Sequence, residues 1–232
     1  MSFQFRQMWS QNQENLRIAT NNEQDIKYRF DYGQFSQDYF VNKILNIDNG
    51  FFLDIGAGVG DLDIEKVAIT AMSNTYGLES LRHWKGIGID YDKKYIDFAS
   101  KIRSCTLLCE DLTQVNINDL LRDNDAPKNI DYLSFDVDNA QERVLNELDF
   151  STYSFNVITY EHNLFRGCKK HHEDSRKKFK SLGYKMLFGN VELMPQEPVE
   201  DWYVNSDLFD KYKHISADNI SRNKIIIMLE KR

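Results

Sequence analysis

Short apolar runs with carboxylates at or just past their ends recur through the middle of the chain: Phe51–Ile55, Gly86–Asp90, Thr106–Cys109, Ile130–Asp136 and Phe155–Glu161. Each is too short for a buried helix and is followed by polar or turn residues, which predicts a strand buried on both faces. Helical spacing fills the gaps. Tyr95, Phe98, Ala99 and Ile102 share one face behind Asp92, a residue type suited to an N-cap. Ala140, Val144, Leu145 and Leu148 share another. A polar helix over about 169–182 ends at Gly183, before the apolar run Tyr184–Phe188. Strands alternating with helices imply a doubly wound α/β sheet with right-handed crossovers, and such sheets bind ligands beyond the carboxyl ends of their strands. Those ends carry Asp54, Asp90, Glu110, Asp111, Asp136, Glu161 and His162, so one rim collects the acids.

Upstream, Phe35, Tyr39, Phe40, Ile44 and Leu45 approximate a helical stripe that stops at Asp48-Asn49-Gly50. Residues 1–48 are therefore expected as a helical extension packed on the core. The Gln/Asn-rich first 30 residues read equally as a docked helix or a loosely held arm. The tail 223–232 is continuously apolar over Ile225–Leu229 and fits either a strand or a short buried helix.

Charge narrows the partners. A formal net charge of -7 and a pI near 5.3 repel nucleic acids and anionic membranes at long range. No apolar run reaches a membrane span and the N-terminus lacks a signal-peptide core, so a cytoplasmic protein is expected. Cys105, Cys109 and Cys168 form neither a Cys-x-x-Cys pair nor an even set, which predicts reduced, mostly buried thiols. His171 and His172 lie in the basic run Lys169–Lys180, whose ordinary reading is a solvated helix face.

The chemistry concentrates at Asp54-Ile-Gly-Ala-Gly-Val-Gly60. Gly56, Gly58 and Gly60 allow a turn too tight for side chains, with backbone close to a ligand at the start of a helix. The spacing differs from the Gly-x-Gly-x-x-Gly of dinucleotide sites and favours a nucleoside without pyrophosphate. Asp54 would repel phosphate but accepts hydrogen bonds from an amino-acid ammonium, directly or through water. S-adenosylmethionine carries that ammonium. Asp90 stands where a carboxylate accepts both ribose hydroxyls, or is a surface acid beside a helix. Glu110 and Asp111 can bracket adenine, or Asp111 can open a turn.

Four segments in order resemble the FkbM type of class I S-adenosylmethionine-dependent methyltransferases. They are the glycine loop, then Ser73-Asn-Thr-Tyr-Gly-Leu-Glu79 leading to Trp84-Lys-Gly-Ile-Gly-Ile-Asp90, then Asp131-Tyr-Leu-Ser-Phe-Asp136 and its continuation, and Glu200-Asp-Trp-Tyr203. The resemblance implies a Rossmann-like, mostly parallel sheet of about seven strands over residues 49–232, with the N-terminal helical segment added. It also implies O-methylation of a hydroxyl of a sugar or glycan. A non-catalytic module of the same fold and a methyltransferase for a non-sugar small molecule are the rivals. Nucleic-acid N-methylation is disfavoured, since no Asn/Asp-Pro-Pro-aromatic segment follows the fourth strand.

Asp136 and His162 are the candidate catalytic residues. The sheet order that the resemblance implies sets the fourth and fifth strand ends side by side. Asp136, Glu161 and Asn163 could then hold Mg²⁺ or Mn²⁺, with His162 tilting the choice toward manganese, or His162 acts as a general base without metal. Tyr160, Trp202 and Tyr203 are candidates for stacking on a pyranose.

Overall fold

The computed structural model describes residues 32–58, 73–137, 140–162, 164–192 and 196–231. The first 31 residues and the segment 61–72 lie outside the described residues. Helix α1 (Gln37–Leu45) precedes β1 (Phe51–Ile55), and α2 (Tyr76–Arg82) leads into β2 (Lys85–Asp90). Then follow α3 (Lys93–Ala99), β3 (Thr106–Cys109), α4 (Ile117–Asp123), β4 (Asn129–Phe135), α5 (Gln141–Glu147) and β5 (Ser154–Glu161). The chain closes with α6 (Lys169–Ser181), β6 (Lys185–Glu192), β7 (Pro198–Val204), α7 (Ser206–Tyr212), β8 (Ala217–Asp218) and α8 (Arg222–Glu230).

The sheet runs β3-β2-β1-β4-β5-β7-β6-β8. β1 to β5 pair in parallel, with Leu53 opposite both Ile87 and Leu133. β7 is antiparallel to β5 and β6, while the two-residue β8 adds an eighth, parallel strand beside β6. Antiparallel insertion of β7 puts its N-terminal half on the same rim as the C-terminal ends of β4 and β5, with Glu200 directly across from Glu161.

The pleat divides the core into two layers. Phe52, Tyr132, Val157 and Trp202 pack with Phe40 and Ile44 of α1 and with Ile225 and Leu229 of α8. Leu53, Leu133, Ile158 and Tyr203 pack with Val144 of α5 and Phe179 of α6 on the other face. The apolar tail resolves as a helix because Ile225, Ile226 and Leu229 are buried while Ile227 is half exposed, a helical rather than alternating pattern. Local signals act as the sequence predicts at two ends: Asp92 caps α3 by accepting from Lys94 N at 2.8 Å, and Gly183 takes φ 89° after α6.

Three expectations are corrected. Cys109 and Cys168 are exposed and Cys105 is half-buried, because their side chains fall on strand edges and a helix start rather than in either core layer. His172 is buried, on the sheet-facing side of α6 with Ser175 and Phe179. Trp202 is 0% exposed, stacked on Phe40 at 4.6 Å and edge-on to Phe188. Tyr203 packs on Phe179 at 4.6 Å, and Tyr160 is enclosed by Phe135 and Phe179. None of the three rings is open to a sugar; they are core aromatics. Among the described residues no helix is long and apolar enough to cross a membrane.

Candidate cofactor and acceptor site

The loop after β1 threads between the ends of β2 and β4. Gly56 N and Ala57 N both donate to Ile89 O, at 2.9 and 3.0 Å, and Asp136 N donates to Ile55 O at 2.8 Å. Gly56 sits at φ 82°, and a Cβ there would overlap the Asp136 carbonyl, whose carbon would lie 2.6 Å away. Only glycine meets both conditions. A Cβ on Gly58 would overlap the Asp90 carboxylate, with its Cγ at 2.9 Å. The glycines thus serve close approach to neighbouring strand ends of the protein itself. Gly60 lies outside the described residues.

Asp90 is fixed by the same loop. Its Oδ2 accepts from Gly58 N at 2.8 Å and its Oδ1 from Asp92 N at 2.8 Å. Burial pushes this carboxyl up, and the N–H groups of Asp92 and Gly58 pull it back. Asp54 is buried on β1, where Thr75 Oγ1 donates to its Oδ2 at 2.7 Å. Its carboxyl is pushed up by burial, against the Thr75 hydroxyl and the Arg103 guanidinium. Arg103 itself is buried, pairs with Glu79 and donates to Thr75 Oγ1 at 2.9 Å, so a second layer orients the residue that orients Asp54. Glu110 continues the ladder, its N donating to Asp90 O at 2.9 Å. Asp111 Oδ1 accepts from Thr113 N at 2.8 Å and Thr113 Oγ1 at 2.7 Å, closing a turn on its own carboxylate.

Polar groups continue across the sheet on the α1 face. Asn74 Nδ2 donates to Ser134 Oγ at 3.0 Å, and Tyr132 OH pairs with Thr159 Oγ1 at 2.8 Å. At the far end stands Glu200, 3% exposed. Gln37 Nε2 of α1 donates to its Oε1 at 2.7 Å, and Trp202 Nε1 donates to its Oε2 at 2.6 Å. Burial pushes its carboxyl up to about 8, with Asp136 and Asp201 adding repulsion against those two donors. Strand parity and register place Asp136, Glu161 and Glu200 together on this face of the rim. Glu200 has no assigned role in the sequence reading; the available signal was an acid opening Glu200-Asp-Trp-Tyr203, which only the β5–β7 register brings to the rim.

His162 does not join them. It follows Glu161, so its ring projects to the opposite face, where it is 0% exposed beside His172 and Asp201. Its Nδ1 accepts from Leu164 N at 3.1 Å. Asn163 lies outside the described residues.

Residues 106–186 match the methyltransferase FkbM domain. No curated protein matches the chain. Among solved structures, the TDP-rhamnose 3'-O-methyltransferase CalS11 of calicheamicin biosynthesis is similar at 13% identity and TM-score 0.50, covering 84% of this chain and 85% of its own. A TehB-like S-adenosylmethionine-dependent methyltransferase from Corynebacterium glutamicum is similar at 14% identity and TM-score 0.47, covering 86% and 97%. The plantazolicin methyltransferase BpumL, in complex with SAH, is similar at 14% identity and TM-score 0.42, covering 75% and 82%. Residues 106–186 thus match the methyltransferase FkbM domain, and the chain has the class I S-adenosylmethionine-dependent methyltransferase fold.

Proposed function

We propose that the chain moves the methyl group of S-adenosylmethionine to a hydroxyl of a sugar, free as a nucleotide-sugar or within a glycan. The observation that carries this reading is the acid rim of Asp136 and Glu161, set on one face beside the glycine loop with the buried Glu200 behind them. Several carboxyls at one rim suit an acceptor with several hydroxyls, because each buried hydroxyl left unpaired costs about 1–3 kcal/mol. The similarity to a TDP-rhamnose 3'-O-methyltransferase supports the same substrate class. With the three candidate rings buried, hydrogen bonding rather than aromatic stacking would hold the sugar.

Asp54 would take the ammonium of the cofactor and Asp90 its ribose hydroxyls, with Glu110 and Asp111 toward adenine. The sulfonium activates its own methyl group, so the protein's task is alignment and proton removal. The hydroxyl oxygen forms the new C–O bond as the S–CH₃ bond breaks, leaving S-adenosylhomocysteine, and the hydroxyl proton passes to Asp136. We assign that proton to Asp136 rather than His162 because the imidazole turns to the other face of β5. Asp136 and Glu161 share a face and would suit Mg²⁺ or Mn²⁺ together with Asn163, an all-oxygen set once His162 is removed from it. Incubation with S-adenosylmethionine and a panel of nucleotide-sugars, glycans and phenols, with and without chelator, tests the proposal. Methylation of a saccharide supports it. Methylation of phenols alone refutes the acceptor class, and activity unchanged by exhaustive chelation refutes the metal.

A further inference from the structure

On the opposite face of the sheet from the acid rim, His162 at the end of β5, His172 on α6 and Asp201 on β7 meet in the core. His162 Nε2 lies 3.5 Å from Asp201 Oδ1, and His172 Nε2 lies 3.7 Å from Asp201 Oδ2. The two rings meet edge to face with centroids 4.4 Å apart. Neither Nε2 has a hydrogen-bond partner among the described residues, and neither does Asn190 Oδ1, whose own N–H donates to Asp201 Oδ1 at 2.8 Å. Two of the eight such buried atoms among the described residues therefore face one carboxylate, and a third belongs to a residue whose backbone N–H donates to it.

We propose that His162, His172 and Asp201 are the ligands of a divalent transition-metal ion of the Zn²⁺ class. Separations of 3.5 and 3.7 Å exceed the roughly 2.7–3.2 Å of an N–H···O bond. They approach the edge, about 3.3–3.4 Å, of a tetrahedron built on metal bonds of about 2.0–2.1 Å. All three residues offer a ligand atom within 4.8 Å of the others, and because His162 faces Oδ1 and His172 faces Oδ2 of Asp201, the carboxylate turns to bring one oxygen and both imidazoles onto one ion. Two imidazoles and a carboxylate suit zinc better than Mg²⁺.

Two competing interactions define what binding must change. Asp201 already accepts from Arg176 Nε at 2.7 Å and Nη2 at 2.6 Å and from Tyr203 OH at 3.1 Å, so the ion displaces one arm of the guanidinium. Asp218 stands 3.6 Å from Arg176 Nη2 and can take that arm. His162 Nδ1 accepts from Leu164 N, which in a neutral ring puts the proton on Nε2. Metal on Nε2 requires the other tautomer, releasing Leu164 N–H and the turn Leu164–Arg166 that follows the rim.

The test uses the full chain, stripped with chelator, then titrated with Co²⁺ and after it Zn²⁺ in excess Mg²⁺, which occupies the all-oxygen set at the rim. One Co²⁺ per chain is expected, with the visible spectrum of a low-coordinate site, bleached by Zn²⁺. Two paramagnetically shifted imidazole N–H resonances should accompany it. His172→Asn should weaken uptake by more than about 100-fold, beyond the loss of an outer partner, whereas Asp136→Asn should leave it unchanged. No stoichiometric uptake by the unmodified chain, equal binding by His172→Asn, or loss of the ion in Asp136→Asn overturns the proposal. Should His172→Asn not fold, the resonances of the unmodified chain decide: fewer than two shifted rings overturns it.

Discussion

Gly58→Ala isolates the link between the glycine loop and Asp90. The new Cβ would sit 2.9 Å from Asp90 Cγ and closer still to Oδ2, the atom that Gly58 N holds at 2.8 Å. Both partners belong to fixed elements, since Gly56 and Ala57 are tied to Ile89 and Asp90 ends β2. The carboxylate must therefore swing away, losing a charged hydrogen bond of about 1.5–3 kcal/mol. If Asp90 holds the ribose, S-adenosylmethionine affinity falls about 10- to 150-fold. Calorimetric titration measures that loss, and thermal unfolding establishes that the variant is folded. Because the damage travels through Asp90, Gly58→Ala added to Asp90→Ala should cost much less than the sum of the single changes. Additive losses would mean that the loop meets the cofactor independently of Asp90. A folded Gly58→Ala with parental affinity would refute the assignment of this loop to the cofactor.

Asp54→Asn should separate stability from binding. The Asp54 carboxyl is raised in the folded chain, so it stabilises the fold while protonated and that contribution is lost as pH rises above the ordinary 3.8. The amide should therefore be more stable than the parent at neutral pH in urea unfolding yet bind S-adenosylmethionine more weakly; weaker stability with unchanged binding would contradict both roles. Trp202→Ala removes a wholly buried indole, its stack on Phe40 and a donor to Glu200, and should cost about 3–5 kcal/mol by denaturant titration. A cost under 1 kcal/mol would reopen Trp202 as a surface for ligand. Arg103→Ala leaves Glu79 buried without its cation and should cost about 3–5 kcal/mol, read by the same titration and refuted by a neutral result. His162→Ala, measured without metal, orphans Leu164 N–H and should cost at least about 1–3 kcal/mol while leaving cofactor affinity intact. A stable variant that has lost turnover would instead restore His162 as the base.

Strand positions were readable where a single local pattern governs them. The five parallel strands follow from apolar runs between turn residues, and α3 begins at Asp92 because one side chain suffices to cap it. β7 was not readable in that way: Pro198–Val204 sets two adjacent acids before two adjacent large aromatics, and its burial on both faces depends on β5 and β6 arriving from distant segments. Glu200 inherits the same difficulty. A buried acid reads as improbable until Gln37 and Trp202, one of them on another element, are seen to donate to it.

The side chains of Glu161 and His162 carry a different lesson, because here the necessary information was local. Consecutive residues on a strand face opposite ways. Once β5 extends through Glu161, the acid and the imidazole cannot converge on one ion without a bulge, and β5 pairs regularly with β7 up to Glu161 opposite Glu200. The same parity sorts β7, sending Glu200 to the α1 face and Asp201 to the α6 face. Two chemically separate clusters follow from one pair of adjacent strands: an all-carboxyl rim beside the glycine loop, and a histidine-carboxylate cluster beneath α6. The rim has the hard oxygen donors and hydrogen-bonding capacity that a polyhydroxyl acceptor requires. The buried cluster has the nitrogen donors that a softer ion requires, and its tie to the rim is the turn that begins at Leu164.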